Sequence, residues 1–251
     1  MTVPARRSAP EPAQRRAALK TFLESLGLDP QRRELGPVDA ALSHTSARLG
    51  RNHEQLEFLG DAVLRLAAAE FLERDYPSLT VGRASALRAQ LVSDRWLAEL
   101  ADRCGLDAVL RIGPTAAGDR AGRATVRAEC CEALVGAVYR CWGGANGGLH
   151  AVHAWLDEHW RREVVLLLAD PHRHNWKSAL QELTQGQGWG LPAYRCEQTS
   201  QDHGDPGRFR CWVSVAGVER CAGWGRSRRE AEQSAARQAL EVLAPSLPPG
   251  S

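Results

Sequence analysis

The hydrophobic period of the chain is helical except over one stretch near its end, and that exception limits the folds open to it. Up to Ala169, apolar residues recur every three or four positions in "AALKTFLESLGL", "EQLEFLGDAVLRLAAAEFLERDY", "VGRASALRAQLVSDRWLAELADRCGL", "AECCEALVGAVYRCW" and "AVHAWLDEHWRREVVLLLA". That is the spacing of amphipathic helices. Gly, Pro and Asp punctuate the joins, as in "DYPSL" and "IGPTAAGDRAGR", the latter marking a loop near residues 113 to 124. Beyond the polar "ADPHRHN", a short helix "WKSALQELTQGQG" leads into three alternating runs, "AYRCEQTS", "RFRCWVSVAG" and "ERCAGWGRS", and a closing helix "RREAEQSAARQALEVL". The pattern predicts an all-α domain over 17–169, a linker at 170–175 and a small α+β module of order α-β-β-β-α over 176–244. Residues 1–16 and 245–251 read as disordered tails.

The longest apolar runs, such as "VVLLLA", fall far short of the roughly 20 residues a bilayer span needs, so no membrane role is expected. Basic residues at the N-terminus precede no apolar segment, which argues against a secretory signal and for a cytoplasmic protein, with a processed organellar targeting segment as the alternative. The seven Cys include no C-x-x-C pair, which predicts reduced thiols rather than a disulfide framework or a zinc site. A formal net charge of +2 excludes binding of polyanions by bulk charge alone.

Within the helical part, "NHEQLEFLGDAVL" sets Glu54, Glu57 and Asp61 inside an arc of about 60°, given about 100° per residue. Leu56, Leu59, Val63, Leu66 and Ala67 are expected on the opposite, core face. Phe58 lies beside the acids, where an aromatic marks a contact with another chain. No basic residue is expected to pair with Glu57 or Asp61 on the acidic arc. A second acidic helix, "RAECCEALVGAVY", carries Glu129 and Glu132 on one face, and its small residues Ala133 and Gly136 admit a close neighbour. Two such faces packed together would repel without cations, and hard oxygen ligands select Mg²⁺. A di-iron bundle would need Glu-x-x-His pairs, which neither helix has. His44 and His53 are expected to serve as hydrogen-bonding groups rather than metal ligands.

"HEQLEFLGDAVL" resembles the signature of the ribonuclease III family, and "AECCEALVGAVY" is similar to that family's second acidic motif. "ALSHTSA" at 41–47 and "LRAQLVSD" at 87–94 stand in the family's order, and the resemblance runs over roughly residues 18 to 243. It implies an all-α endonuclease domain followed by a double-stranded RNA-binding domain, working as a homodimer on double-stranded RNA such as rRNA and mRNA precursors. Glu57, Asp61, Glu129 and Glu132 would hold Mg²⁺, with Mn²⁺ able to substitute, and Asp61 and Glu132 would be catalytic. Glu54 would be an accessory acid and Phe58 would plug the neighbouring subunit. The cut would leave a 5′ phosphate and a 3′ hydroxyl. The chain departs from the family at Glu129, where Asp is usual, and at Gln55, where Arg is frequent.

The closing helix, preceded by "GRSRREAEQSAARQAL", resembles the end of a double-stranded RNA-binding domain. Arg228 and Arg229 would grip phosphates at a helix N-terminus. Gln181, Glu182 and His203 match positions that reach the minor groove. Trp189, Tyr194, Phe209 and Trp212 are expected to pack the core rather than stack on bases. The competing reading is a catalytically weak relative that only grips structured RNA, for which Glu129 is the one supporting feature.

Overall fold

The computed structural model describes residues 12–118, 122–170, 175–202 and 205–243. Helix α1 spans Pro12–Ser25, so it begins inside the stretch expected to be a tail. The reason is Arg15, which is buried: its Nε donates to Asp39 Oδ1 at 2.6 Å and its NH1 to the Val109 carbonyl at 2.6 Å. A guanidinium docked this way holds the helix start against the domain, a role that hydrophobic periodicity does not encode.

Helix α2 spans Gly36–Ala41, and α3 spans Glu54–Asp75. α3 has Glu54 and Glu57 in its first turn and Arg74 in its last, the polarity that suits the helix dipole. The helical stretch over 81–106 is divided into two helices, α4 (Val81–Leu91) and α5 (Asp94–Arg103). Ser93 separates them, because its side chain accepts the Trp96 N–H and starts a new helix. Part of the expected loop is helical, as α6 at Pro114–Gly118. α7 (Arg123–Cys141) is the central helix, with Val126, Cys130, Cys131, Leu134, Val135 and Val138 buried around most of its circumference. α8 covers Gly148–Ala169, and its Trp160 lies against Trp96 and Phe71 with ring centroids 6.2 and 5.5 Å apart.

Helix α9 (Trp176–Gly186) opens the second unit, followed by β1 (Ala193–Gln198), β2 (Phe209–Val215), β3 (Val218–Gly225) and α10 (Arg228–Leu243). The three strands form an antiparallel sheet in the order β1-β2-β3. Gly223 and Gly225 let β3 touch α10, since a Cβ at Gly223 would lie 2.2 Å from the Ala235 nitrogen. Ala231, Ala235 and Ala239 complete that close seam. The chain divides into two units, residues 1–165 and 166–251. Among the described residues, no helix is long and apolar enough to cross a membrane.

The expectation of reduced thiols fails at one pair: Cys196 and Cys211 form a disulfide. They are direct partners across β1 and β2, with Cα atoms 4.0 Å apart. Only the strand register makes them neighbours, which a spacing of 15 residues does not reveal.

Candidate active site

The site begins where α3 and α7 cross at two glycines. A Cβ at Gly60 would lie 2.0 Å from the Glu132 carbonyl oxygen, and one at Gly136 would lie 2.2 Å from that of Leu56. The two backbones therefore touch, and the polar sides of both helices open together into a cleft of about 430 Å³. Glu54, Glu57 and Asp61 line it from α3, Glu132 from α7 and Asp94 from the first residue of α5, beside Phe58, Arg65 and Val92.

Five carboxylates share one cleft, and two of them are perturbed there. Burial pushes Glu132 up to about 7, and the charges of Asp61, Glu57 and Asp94 add to the shift, as does a hydrogen bond shared with Asp61. Burial also raises Glu57, with Glu129, Glu54 and Asp94 adding to it and His53 opposing. Such repulsion asks for a cation, and a donor set made of carboxylate oxygens fits Mg²⁺ or Mn²⁺.

Asp94 belongs to this group although sequence reasoning passed over it. It closes the segment "LRAQLVSD" and reaches the cleft because Ser93 starts α5 at that point. Arg65 is a correction: it stands four residues after Asp61, and its Nε meets Asp61 Oδ1 at 2.6 Å. The acidic arc is thus paired on one side, although both groups are exposed and the pair contributes little stability. Leu66, expected in the core, is 52% exposed. It sits on the flank of α3 rather than under it, facing a groove shared with α4. Leu56, Val63 and Ala67 do lie in the core. Phe58 is 86% exposed at the cleft edge.

Glu129 is not among the described residues that line the cleft. Its Oε2 lies 3.3 Å from His44 Nε2 and 3.5 Å from His53 Nε2. His53 Nε2 is also 3.4 Å from Glu57 Oε2, so one buried imidazole stands between the two acids.

The raised Glu132 sets a pH dependence. Its folded value of about 7 exceeds the reference of 4.5, so between these values the folded chain holds the proton more tightly than the unfolded chain. Stability of the metal-free protein therefore falls as pH rises through this window. The contribution is on the order of 2 kcal/mol after allowance for partial exposure. Urea unfolding with EDTA at pH 5.5 and 8 should show wild type losing this amount relative to Glu132→Gln. Parallel slopes would remove Glu132 as the cause.

In the second unit, α10 starts with reciprocal caps: the Glu230 N–H donates to Ser227 Oγ at 3.2 Å, and the Arg226 N–H donates to Glu230 Oε2 at 2.8 Å. Arg228 and Arg229 follow on the exposed first turn, and Arg228 Nε lies 3.3 Å from Glu232 Oε1. Gln181 and Glu182 are exposed on α9. His203 lies outside the described residues. Trp189, Tyr194 and Phe209 pack on the core between sheet and helices. Trp212 does not, because strand alternation turns it to the opposite face. There Arg195 and Arg210 lie 4.2 and 4.5 Å from its ring centroid.

The family model described as Ribonuclease-III-like matches residues 38–155, and the Double-stranded RNA binding motif matches residues 176–243. A protein from Prochlorococcus marinus named Ribonuclease 3 is 48% identical over 206 residues, covering 82% of this chain and 81% of its own. A protein from Synechocystis sp. named Ribonuclease 3 2 is 42% identical over 228 residues, covering 90% and 92%. Among solved structures, the nuclease domain of ribonuclease III from Campylobacter jejuni matches at 25% identity and a TM-score of 0.49, covering 56% of this chain and 96% of that one.

Proposed function

The chain belongs to the ribonuclease III family of double-stranded RNA endoribonucleases, and we propose that it cuts with Mg²⁺ to leave 5′-phosphate and 3′-hydroxyl ends. The carrying observation is the carboxylate cleft, where Glu132 is held near 7 by burial and by Asp61, Glu57 and Asp94. Glu57, Asp61 and Glu132 would hold the ion, with Glu129 as a fourth ligand and Mn²⁺ as an acceptable substitute. When bound, the ion supplies activation of water and stabilisation of the leaving oxygen.

The chain's own residues set the geometry. α7 holds Glu132 against Asp61, making these two the catalytic pair, while Glu54 stays at the cleft edge as an accessory acid. Arg65 occupies an oxygen of Asp61 and would have to release it when the ion binds. Glu129, longer by a methylene than the Asp usual in the family, reaches the imidazoles of His44 and His53 and would need to turn toward the cleft. Exposed Phe58 fits a homodimer in which it enters the second copy. Arg228 and Arg229 would contact phosphates while Gln181, Glu182 and His203 reach minor grooves. Precursors of rRNA and mRNA in the cytoplasm are the substrates this reading favours.

The test is a labelled RNA hairpin of about two helical turns, the scale that a double-stranded RNA-binding domain spans. With Mg²⁺ the purified protein should produce fragments bearing 5′ phosphates, and EDTA should stop the reaction. RNA left intact with Mg²⁺, yet retarded on a gel, would assign the chain to RNA binding alone.

A further inference from the structure

We propose that His44, His53 and Glu129, with Glu57 as a fourth group, form a transition-metal site beside the carboxylate cleft, sharing Glu57 and Glu129 with it and suited to Zn²⁺ or Co²⁺. One ligand atom from each of His44, His53 and Glu129 falls within 4.8 Å of the others. The individual separations are 3.3 Å for His44 Nε2 to Glu129 Oε2, 3.5 Å for His53 Nε2 to the same oxygen and 3.4 Å for His53 Nε2 to Glu57 Oε2. All three exceed the roughly 2.7–2.9 Å of a charge-assisted hydrogen bond. They are close to three edges of a tetrahedron whose N and O ligands stand about 2.0–2.1 Å from a central ion, about 3.3–3.4 Å, and Glu57, which lies outside the group of three, would turn to complete it.

The surroundings fit an imidazole site. His53 is 3% exposed, its Nε2 faces both acids, and its Nδ1 has no hydrogen-bond partner among the described residues. Its backbone N–H donates to the Ser43 carbonyl at 3.1 Å, and that of His44 donates to the Arg111 carbonyl at 2.9 Å, which holds both histidines in place. His44 Nδ1 accepts the Ser46 N–H at 3.2 Å and lies 2.8 Å from Ser46 Oγ, which holds the ring with Nε2 toward Glu129, so an ion would take the place of the Nε2 proton. Two neutral imidazoles with two carboxylates carry a charge of about −2, which a divalent ion cancels. Imidazole nitrogen favours zinc-like ions over Mg²⁺, whereas the cleft offers oxygen alone. An ion here would compete with the cleft for Glu57 and Glu129.

The experiment uses the full chain stripped with EDTA and titrated with Co²⁺, read by visible d–d absorption. One Co²⁺ per chain is expected, with a band that persists in about 100-fold excess of Mg²⁺ and an affinity at least about tenfold weaker in His44→Ala. X-ray absorption on the zinc-loaded wild type should show two imidazole ligands, and it needs no variant to fold. Oxygen ligands alone, or a band that Mg²⁺ removes at equal concentration, would overturn the site. Hairpin cleavage with Mg²⁺ is measured on the same preparation. Cleavage without the band rejects only this site, and the band without cleavage rejects only the proposed nuclease mechanism.

Discussion

Glu132→Gln is expected to slow hairpin cleavage by about 10³-fold while RNA affinity stays within about threefold of wild type. The amide keeps the size of the side chain but removes the charge at the centre of the cleft, where Glu132 meets Asp61. A neutral oxygen is a poor ligand for a hard divalent ion, and the reacting phosphate loses the group that positions it. Affinity should survive because the exposed Arg228 and Arg229 lie on α10, in the other unit. The stability result separates this outcome from misfolding. Without metal at pH 8, the same substitution removes a carboxylate whose ionisation opposes folding, so the variant should be more stable than wild type as it loses activity. Single-turnover cleavage with gel-shift titration and urea unfolding checks all three. Retained cleavage would remove Glu132 from the reaction, and matched losses of cleavage and stability would indicate a folding defect.

The two-part architecture was legible because hydrophobic period distinguishes helix from strand, and the strand period is confined to one stretch of the second part. The acidic face of α3 was legible for the same reason, since angular position on a helix follows from spacing. What escaped depends on groups that meet only after folding. Asp94 reaches the cleft through the start of α5, and the 33 residues that separate it from Asp61 give no hint of this. Cys196 and Cys211 pair through strand register, and Trp212 faces outward through strand alternation. Arg65 was different in kind: four residues after Asp61 and about 40° round the helix from it, the residue was legible in the sequence and was missed. Residues four apart are neighbours on a helix surface, and the guanidinium meets Asp61 directly. Glu129 shows the converse limit. Its position on the face beside Glu132 was legible, while the direction of its carboxylate depends on His44 and His53, brought there by separate backbone contacts.

The same small substitution should have opposite effects at two glycines. Ala has the higher helix propensity by about 1 kcal/mol, so Gly→Ala stabilises a helix wherever a methyl group has room. At Gly82, near the start of α4, a Cβ would meet nothing within 4 Å, and Gly82→Ala should raise stability by about 0.5 kcal/mol. At Gly136 the added carbon would lie 2.2 Å from the Leu56 carbonyl oxygen and 3.0 Å from the Gly60 nitrogen. Both obstacles are backbone on α3, so no side chain can rotate away and the helices must separate. The lost packing should exceed the propensity gain and leave the variant about 3 kcal/mol less stable, at the upper end for overpacking. Separation also shifts Glu132, one turn before Gly136, relative to Asp61, next to Gly60. A displacement near 1 Å between catalytic groups costs about 10²-fold in rate. Gly136→Ala should therefore lower cleavage by about that factor even at temperatures where it remains folded. Urea unfolding and cleavage rates for both variants decide the matter, and a Gly136→Ala protein as stable and active as Gly82→Ala would mean that the two backbones do not meet at this crossing.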